Sequence, residues 1–208
     1  MPGCLTVQWT ITPLTAPEPI LSCPGCGSAR PFRSSGKFRL NANGKQLDAW
    51  LIYKCTSCGT TWNRPIFERM AVRKIDPAVL QALQSNDPHQ AEAVAFDLHQ
   101  LRRCAPNVEE AADVEVHKQV LRQDDRAWSR LDIVFALPVA TSVRLDRVLA
   151  QEFGISRTKV QELAKVGHLC AGANTRRQLR KPVRDGMHVT IAREAVMRNG
   201  QAGRLAPG

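Results

Sequence analysis

Two cysteine pairs of identical spacing, Cys23-Pro24-Gly25-Cys26 and Cys55-Thr56-Ser57-Cys58, constrain this chain more than any other feature of it. Two residues between thiols let both sulfurs of a pair reach one ion. The glycine that follows each pair, Gly27 and Gly59, permits a tight turn whose backbone N–H groups face sulfur. Each pair supplies half of a tetrahedron, so Cys23, Cys26, Cys55 and Cys58 are the expected ligands of one structural zinc ion (Zn2+). Four ordinary buried cysteines, or two disulfides, are the alternatives. A catalytic zinc is disfavoured, because four thiolates fill the coordination sphere and no His, Asp or Glu lies beside either knuckle to leave a place for water.

The 28 residues between the pairs carry the means of bringing them together. Lys37–Asn41 and Leu47–Cys55 flank an Asn43-Gly44 step, a turn signal that predicts a β-hairpin. Ahead of the first pair, Leu5–Ile11 alternates apolar and polar β-formers, the period of a half-buried strand, ended by Pro13, Pro17 and Pro19. Trp50, Tyr53 and Trp62 lie close in sequence to Arg39 and Lys54. They either form a basic aromatic face on which bases stack or fill a small core around the metal. Taken together, these segments resemble the front half of a family of uncharacterised bacterial zinc-ribbon proteins, a resemblance that implies no activity.

From Asp76 the period changes. Asp76-Pro77 and Asp87-Pro88 each supply a cap and a first-turn proline. They predict one helix around Val79, Leu80 and Leu83 and a second reaching about Arg103, with Ala91, Val94, Ala95, Leu98 and Leu101 along its stripe. Val114–Leu121 and Leu131–Leu137 read as two strands around a polar turn at Gln123–Asp125.

The net charge of +10 points to a polyanionic partner, and its distribution says where. Residues 71–142 carry eight Lys and Arg against eleven Asp and Glu, whereas residues 143–193 carry eleven against four. In that basic stretch Leu145, Val148, Leu149 and Phe153 mark one side of a short helix, with Arg144 and Arg147 on the other. Ser156 is the N-cap of a second helix that ends at Gly167. Its inward stripe is Val160, Leu163 and Val166, opposite Arg157, Gln161 and Lys165.

Arg144-Leu145-Asp146, Ser156-Arg157, Gly167-His168-Leu169 and Val183-Arg184-Asp185-Gly186-Met187-His188-Val189 resemble the small RNA-binding domain first recognised in a small-subunit ribosomal protein. That domain recurs in tyrosyl-tRNA synthetases, pseudouridine synthases and a heat-shock ribosome-binding protein. The resemblance implies two helices packed on a small sheet with a basic face toward structured RNA. Arg144, Arg147, Arg157, Lys159 and Lys165 occupy the matching positions, and Arg176, Arg177, Arg180 and Lys181 add charge from the loop that follows.

The sequence is therefore read as an α+β protein. Residues 1–70 are assigned to the zinc ribbon with its strand, 71–141 to a helical and β connector, 142–193 to the RNA-binding-like module and 194–208 to a mobile tail. The leading expectation is non-catalytic binding of ribosomal or transfer RNA, with the ribosome as one candidate partner. A protein-interaction or transcription-linked adaptor binding protein or DNA comes second, and an RNA-modifying enzyme third. No nucleophile motif, phosphate-cradling glycine loop or dinucleotide fingerprint is legible, so no catalytic residues are assigned. The absence of a membrane-length apolar run and of an export signal places the protein in the cytoplasm by expectation.

Overall fold

A computed structural model describes residues 3–110, 113–123 and 128–197. The fold mixes α and β structure in two compact units, one formed by Met1–Leu14 with Ala112–Gly208, the other by Thr15–Ala111. Each is a five-stranded sheet carrying helices.

The unit formed by Thr15–Ala111 has the strand order β5-β4-β3-β2-β6. The strands are β2 (Glu18–Cys23), β3 (Ser28–Asn43), β4 (Gln46–Cys55), β5 (Thr61–Ala71) and β6 (Val108–Glu109). The expected hairpin is β3 and β4, paired from Phe32↔Cys55 to Asn43↔Gln46. Ala49, Leu51, Tyr53 and Cys55 of β4 are buried at every second position. They share a core with Leu83, Ala91, Ala95 and Leu101 from α1 (Pro77–Ser85), α2 (Pro88–Phe96) and α3 (Leu98–Cys104).

Asp76 caps α1 through Ala78 N–H, as its Asp-Pro step predicts. The single helix expected from Asp87 to Arg103 is instead two. Asp97 leaves helical geometry (φ −69°, ψ 82°), and its side chain accepts from Gln100 N–H to start α3. Arg64, fully buried on β5, donates to the carbonyls of Val94 (2.6 Å) and Asp97 (2.9 Å), which also accept from the N–H groups of Asp97 (3.2 Å) and Leu101 (3.0 Å), and so ties β5 to both sides of this break.

The other unit corrects the grouping of the first strand. β1 (Gly3–Pro13) runs antiparallel to β7 (Val114–Gln123) and parallel to β8 (Trp128–Ala136), in a sheet of order β7-β1-β8-β10-β9. It belongs with the C-terminal segments and not with the ribbon. β7 and β8 are the two strands expected after residue 108, but β1 lies between them, so they do not pair as neighbours. Residues 124 and 125 of the expected turn lie outside the described residues. The connector likewise divides, its helices falling in one unit and β7 and β8 in the other.

Leu5, Val7, Trp9 and Ile11 of β1 and Leu131, Ile133 and Phe135 of β8 are buried with Val189 and Ile191 of β10 (His188–Ala192). The same core holds Leu145, Val148, Leu149 and Phe153 of α4 (Leu145–Phe153) and Val160 and Leu163 of α5 (Arg157–Lys165). Trp9 is its centre, 5.8 Å from the Phe135 ring and 5.6 Å from Phe153.

Ser156 caps α5 by accepting from Lys159 N–H (3.1 Å). Ser156→Ala should lower the stability of this unit by about 1 kcal/mol, read from the denaturant midpoint. Val166, expected inward, is 64% exposed because α5 ends at Lys165 and Val166 is its C-cap. β9 (Leu169–Cys170) is a two-residue strand on β10. The residues that follow are not a simple loop: α6 (Thr175–Leu179) is capped by Asn174. α7 (Arg193–Met197) takes the start of the expected tail, whose remainder lies outside the described residues.

Candidate metal centre and basic surface

β2 ends on Cys23 and β4 ends on Cys55, so the strand pairing carries one knuckle to the other. Inside each knuckle the chain turns back on its first cysteine. Gly27 N–H donates to the Cys23 carbonyl (2.8 Å) and Gly59 N–H to that of Cys55 (3.0 Å). Both glycines have positive φ, 66° and 76°, which a side chain would strain. Gly25 serves a different need, since a Cβ there would stand 2.6 Å from Thr60 Oγ1 and 3.1 Å from Cys58 Sγ, in the space where the two knuckles meet.

The four Sγ atoms lie within 4.8 Å of one another. Cys23 and Cys58 are 3.4 Å apart, Cys26 and Cys55 3.9 Å. A tetrahedron with metal–sulfur bonds of about 2.3 Å has sulfur–sulfur edges of about 3.8 Å, so the donor set fits one thiophilic ion. Electrostatics favour it too. Thr60, through its hydroxyl and its backbone N–H, holds the Cys58 thiol down to about 6. Burial opposes ionisation of Cys55, but the N–H groups of Cys58 and Ser57 lower it nonetheless. Hydrogen bonding to Cys58, with burial, pushes Cys26 up to about 12. Thiols that readily ionise stand beside one that resists, and a bound cation is what allows all four to be thiolates.

The remaining cysteines stand apart from this cluster. Cys4 donates to Asp132 Oδ2 (3.0 Å), and burial followed by that bond raises its pKa. No histidine joins a metal-ligating group among the described residues.

The basic residues fall into two classes. Asp146, in the first turn of α4, is fully buried and accepts from Arg144 (2.7 Å) and Arg157 (3.1 Å). Arg147 pairs with Asp113 (3.2 Å) and Lys159 with Glu162 (3.1 Å). Among the described residues no carboxylate pairs with Lys165, Arg176, Arg177, Arg180 or Lys181. Lys165, Arg176 and Arg180 converge, with Thr158, Gln161 and Glu162, on a cavity of about 310 Å³. The structure thus separates nine expected contact residues into four occupied within the protein and five available. Asp146 was missed because an acid between two arginines reads as surface charge, while its second cation lies eleven residues away.

Residues 40–175 match a family described as a protein of unknown function, DUF1062, over more than half of the chain. The chain belongs to the DUF1062 family. Neither the curated proteins nor the solved structures searched contain a match. The DUF1062 region begins within β3 and reaches the start of α6. It contains Cys55 and Cys58, Asp146 and both of its arginines, and Lys165, whereas Cys23 and Cys26 precede it.

Proposed function

We propose that this DUF1062 protein is a non-catalytic binder of structured RNA, ribosomal or transfer RNA, whose four-cysteine centre holds a structural zinc ion. The observation that carries the reading is the group of cations at and just after α5 and α6 that have no carboxylate partner among the described residues: Lys165, Arg176, Arg177 and Arg180 are exposed and Lys181 is half-buried. Cations already bridged to carboxylates gain less from a phosphate, so the contact surface is centred on this second set. The resemblance of Arg144–Val189 to a ribosomal-type RNA-binding domain supports RNA as the ligand and shares one position, Lys165, with this set. With sulfur as the only ligand type and a closed coordination shell, the zinc orders the ribbon and leaves no position for substrate.

Each phosphate neutralised on a duplex releases counterions worth about 0.9 in the slope of log affinity against log salt. Five contacts predict a slope of about −4 to −5 for a hairpin RNA. Arg176→Ala with Arg180→Ala should reduce its magnitude by about 2, measured by fluorescence anisotropy from 50 to 300 mM salt. A slope near zero for the unmodified chain would end the RNA assignment.

A further inference from the structure

The aromatic cluster of the ribbon is divided between the two faces of its sheet. Tyr53 is buried, and Trp62, its register partner on β5, stacks edge-on to it at 5.5 Å in the helix-covered core. Trp50 belongs to the other set of β4 positions. It is half-buried, and it packs against neither hydrophobic core.

Its surroundings on that face follow from the register. Arg39 of β3 lies directly across from Trp50, and Pro65 of β5 lies on its other side. Two residues along β4 is Ile52, opposite Asn63, and two further is Lys54, opposite Arg33 and Thr61. Arg39 and Lys54 are exposed and have no carboxylate partner among the described residues; Arg33 pairs with Glu18 but remains 73% exposed. On β4 itself Asp48 is at the opposite end from Lys54, while Glu18 accompanies Arg33 at the Lys54 end. Asp48 accepts from Arg69 N–H (2.6 Å) and the Asn41 amide (3.4 Å). The face therefore offers an indole ring with the Arg39 guanidinium across from it and the Lys54 ammonium four residues along β4.

We infer that the β3–β4–β5 face is a binding site for single-stranded nucleic acid, in which one base stacks on Trp50 and the adjoining phosphates lie toward Arg39 and Lys54. An aromatic platform next to unpaired cations matches a strand that presents a flat base and a charge at every residue. Charge complementarity is the argument for that occupant. An apolar protein surface would leave Arg39 and Lys54 unpaired, and duplex RNA keeps its bases stacked out of reach of Trp50. This site is separate in residues and in ligand from the α5–α6 surface.

The test uses the full chain loaded with metal and fluorescent ten-nucleotide oligo(U) and oligo(dT), which have no secondary structure. Trp50→Ala should weaken binding of both by about 5- to 150-fold, the range for losing one stacked base, while Trp50→Phe keeps most of it. Arg39→Ala with Lys54→Ala, which leaves the ring in place, should lower the salt slope by about 1.4, or 0.7 for each charge on a single strand. Metal content and far-UV spectrum, unchanged in all variants, exclude unfolding as the cause. Binding by Trp50→Ala equal to that of the unmodified chain overturns the inference, as does an absence of binding to either oligonucleotide. The two surfaces are told apart by Arg176→Ala with Arg180→Ala: in that background the Trp50 effect on oligo(U) persists if the ribbon site exists. Hairpin RNA binding that needs Arg176 and Arg180 while oligo(U) ignores Trp50 removes the ribbon site alone.

Discussion

Stripping the metal with a chelator should unfold the Thr15–Ala111 unit while the core around Trp9 persists. Cys23 and Cys55 are not appended to the ribbon; they are buried within the same core as Phe32, Leu51 and Tyr53. Closed thiolate sites contribute apparent binding free energies of roughly 10 to 16 kcal/mol, which equals or exceeds the whole stability of an ordinary domain. Without the ion, the sulfurs that the strands hold within 4.8 Å of one another are no longer drawn together, and Cys26 reverts to a reluctant thiol. The other unit has its own sheet and its own buried residues. Hydrogen exchange resolves the two: amides of β3, β4 and β5 lose protection on chelation, and those of β1, β8 and β10 keep theirs. Cys55→Ser should reproduce this loss at one position and reduce the bound metal from one ion per chain. Protection in β3–β5 that survives complete metal removal would show that the four thiols are only packing residues.

What could be read beforehand follows how local the determining physics is. The knuckles were legible because two thiols and a turn glycine sit within five residues of each other, and the hairpin because Asn43-Gly44 fixes its own conformation. The place of β1 was not. Alternation through Leu5, Val7, Trp9 and Ile11 states that one face is buried, but the partners that bury it start at Val114, a hundred residues away. The break at Asp97 did have a signal: Asp97 with Gln100 three residues later is the pattern of an N-cap within what looked like one apolar stripe. The aromatics near the second knuckle were ambiguous in sequence, and the strand period resolved them by sending Tyr53 inward and Trp50 outward. For the basic module, helix positions were legible from period and caps, while the pairing state of each arginine depends on tertiary neighbours that no spacing encodes.

That pairing state has an energetic consequence larger than any expected from a surface charge. Replacing Arg144 and Arg157 together by Ala should destabilise the C-terminal unit by about 3 to 5 kcal/mol, the cost of leaving a buried carboxylate without its cations. The arginines themselves are 41% and 50% exposed, so each could be solvated alone; Asp146, at 0%, could not. The asymmetry predicts an order. Asp146→Asn, which removes the charge that needs partners, should cost less than the double arginine change, about 1.5 to 3 kcal/mol. Adding Asp146→Asn to the double variant should restore part of the loss, a coupling visible only in the full cycle. Denaturant midpoints at constant m-value measure all four. Should the double arginine variant be as stable as the parent, Asp146 is not held by these cations and their orientation is incidental. If the order holds, Arg144 and Arg157 serve the fold before any ligand. Loss of RNA binding on their removal then reports unfolding, and Lys165, Arg176 and Arg180 become the positions at which the RNA contact is fairly tested.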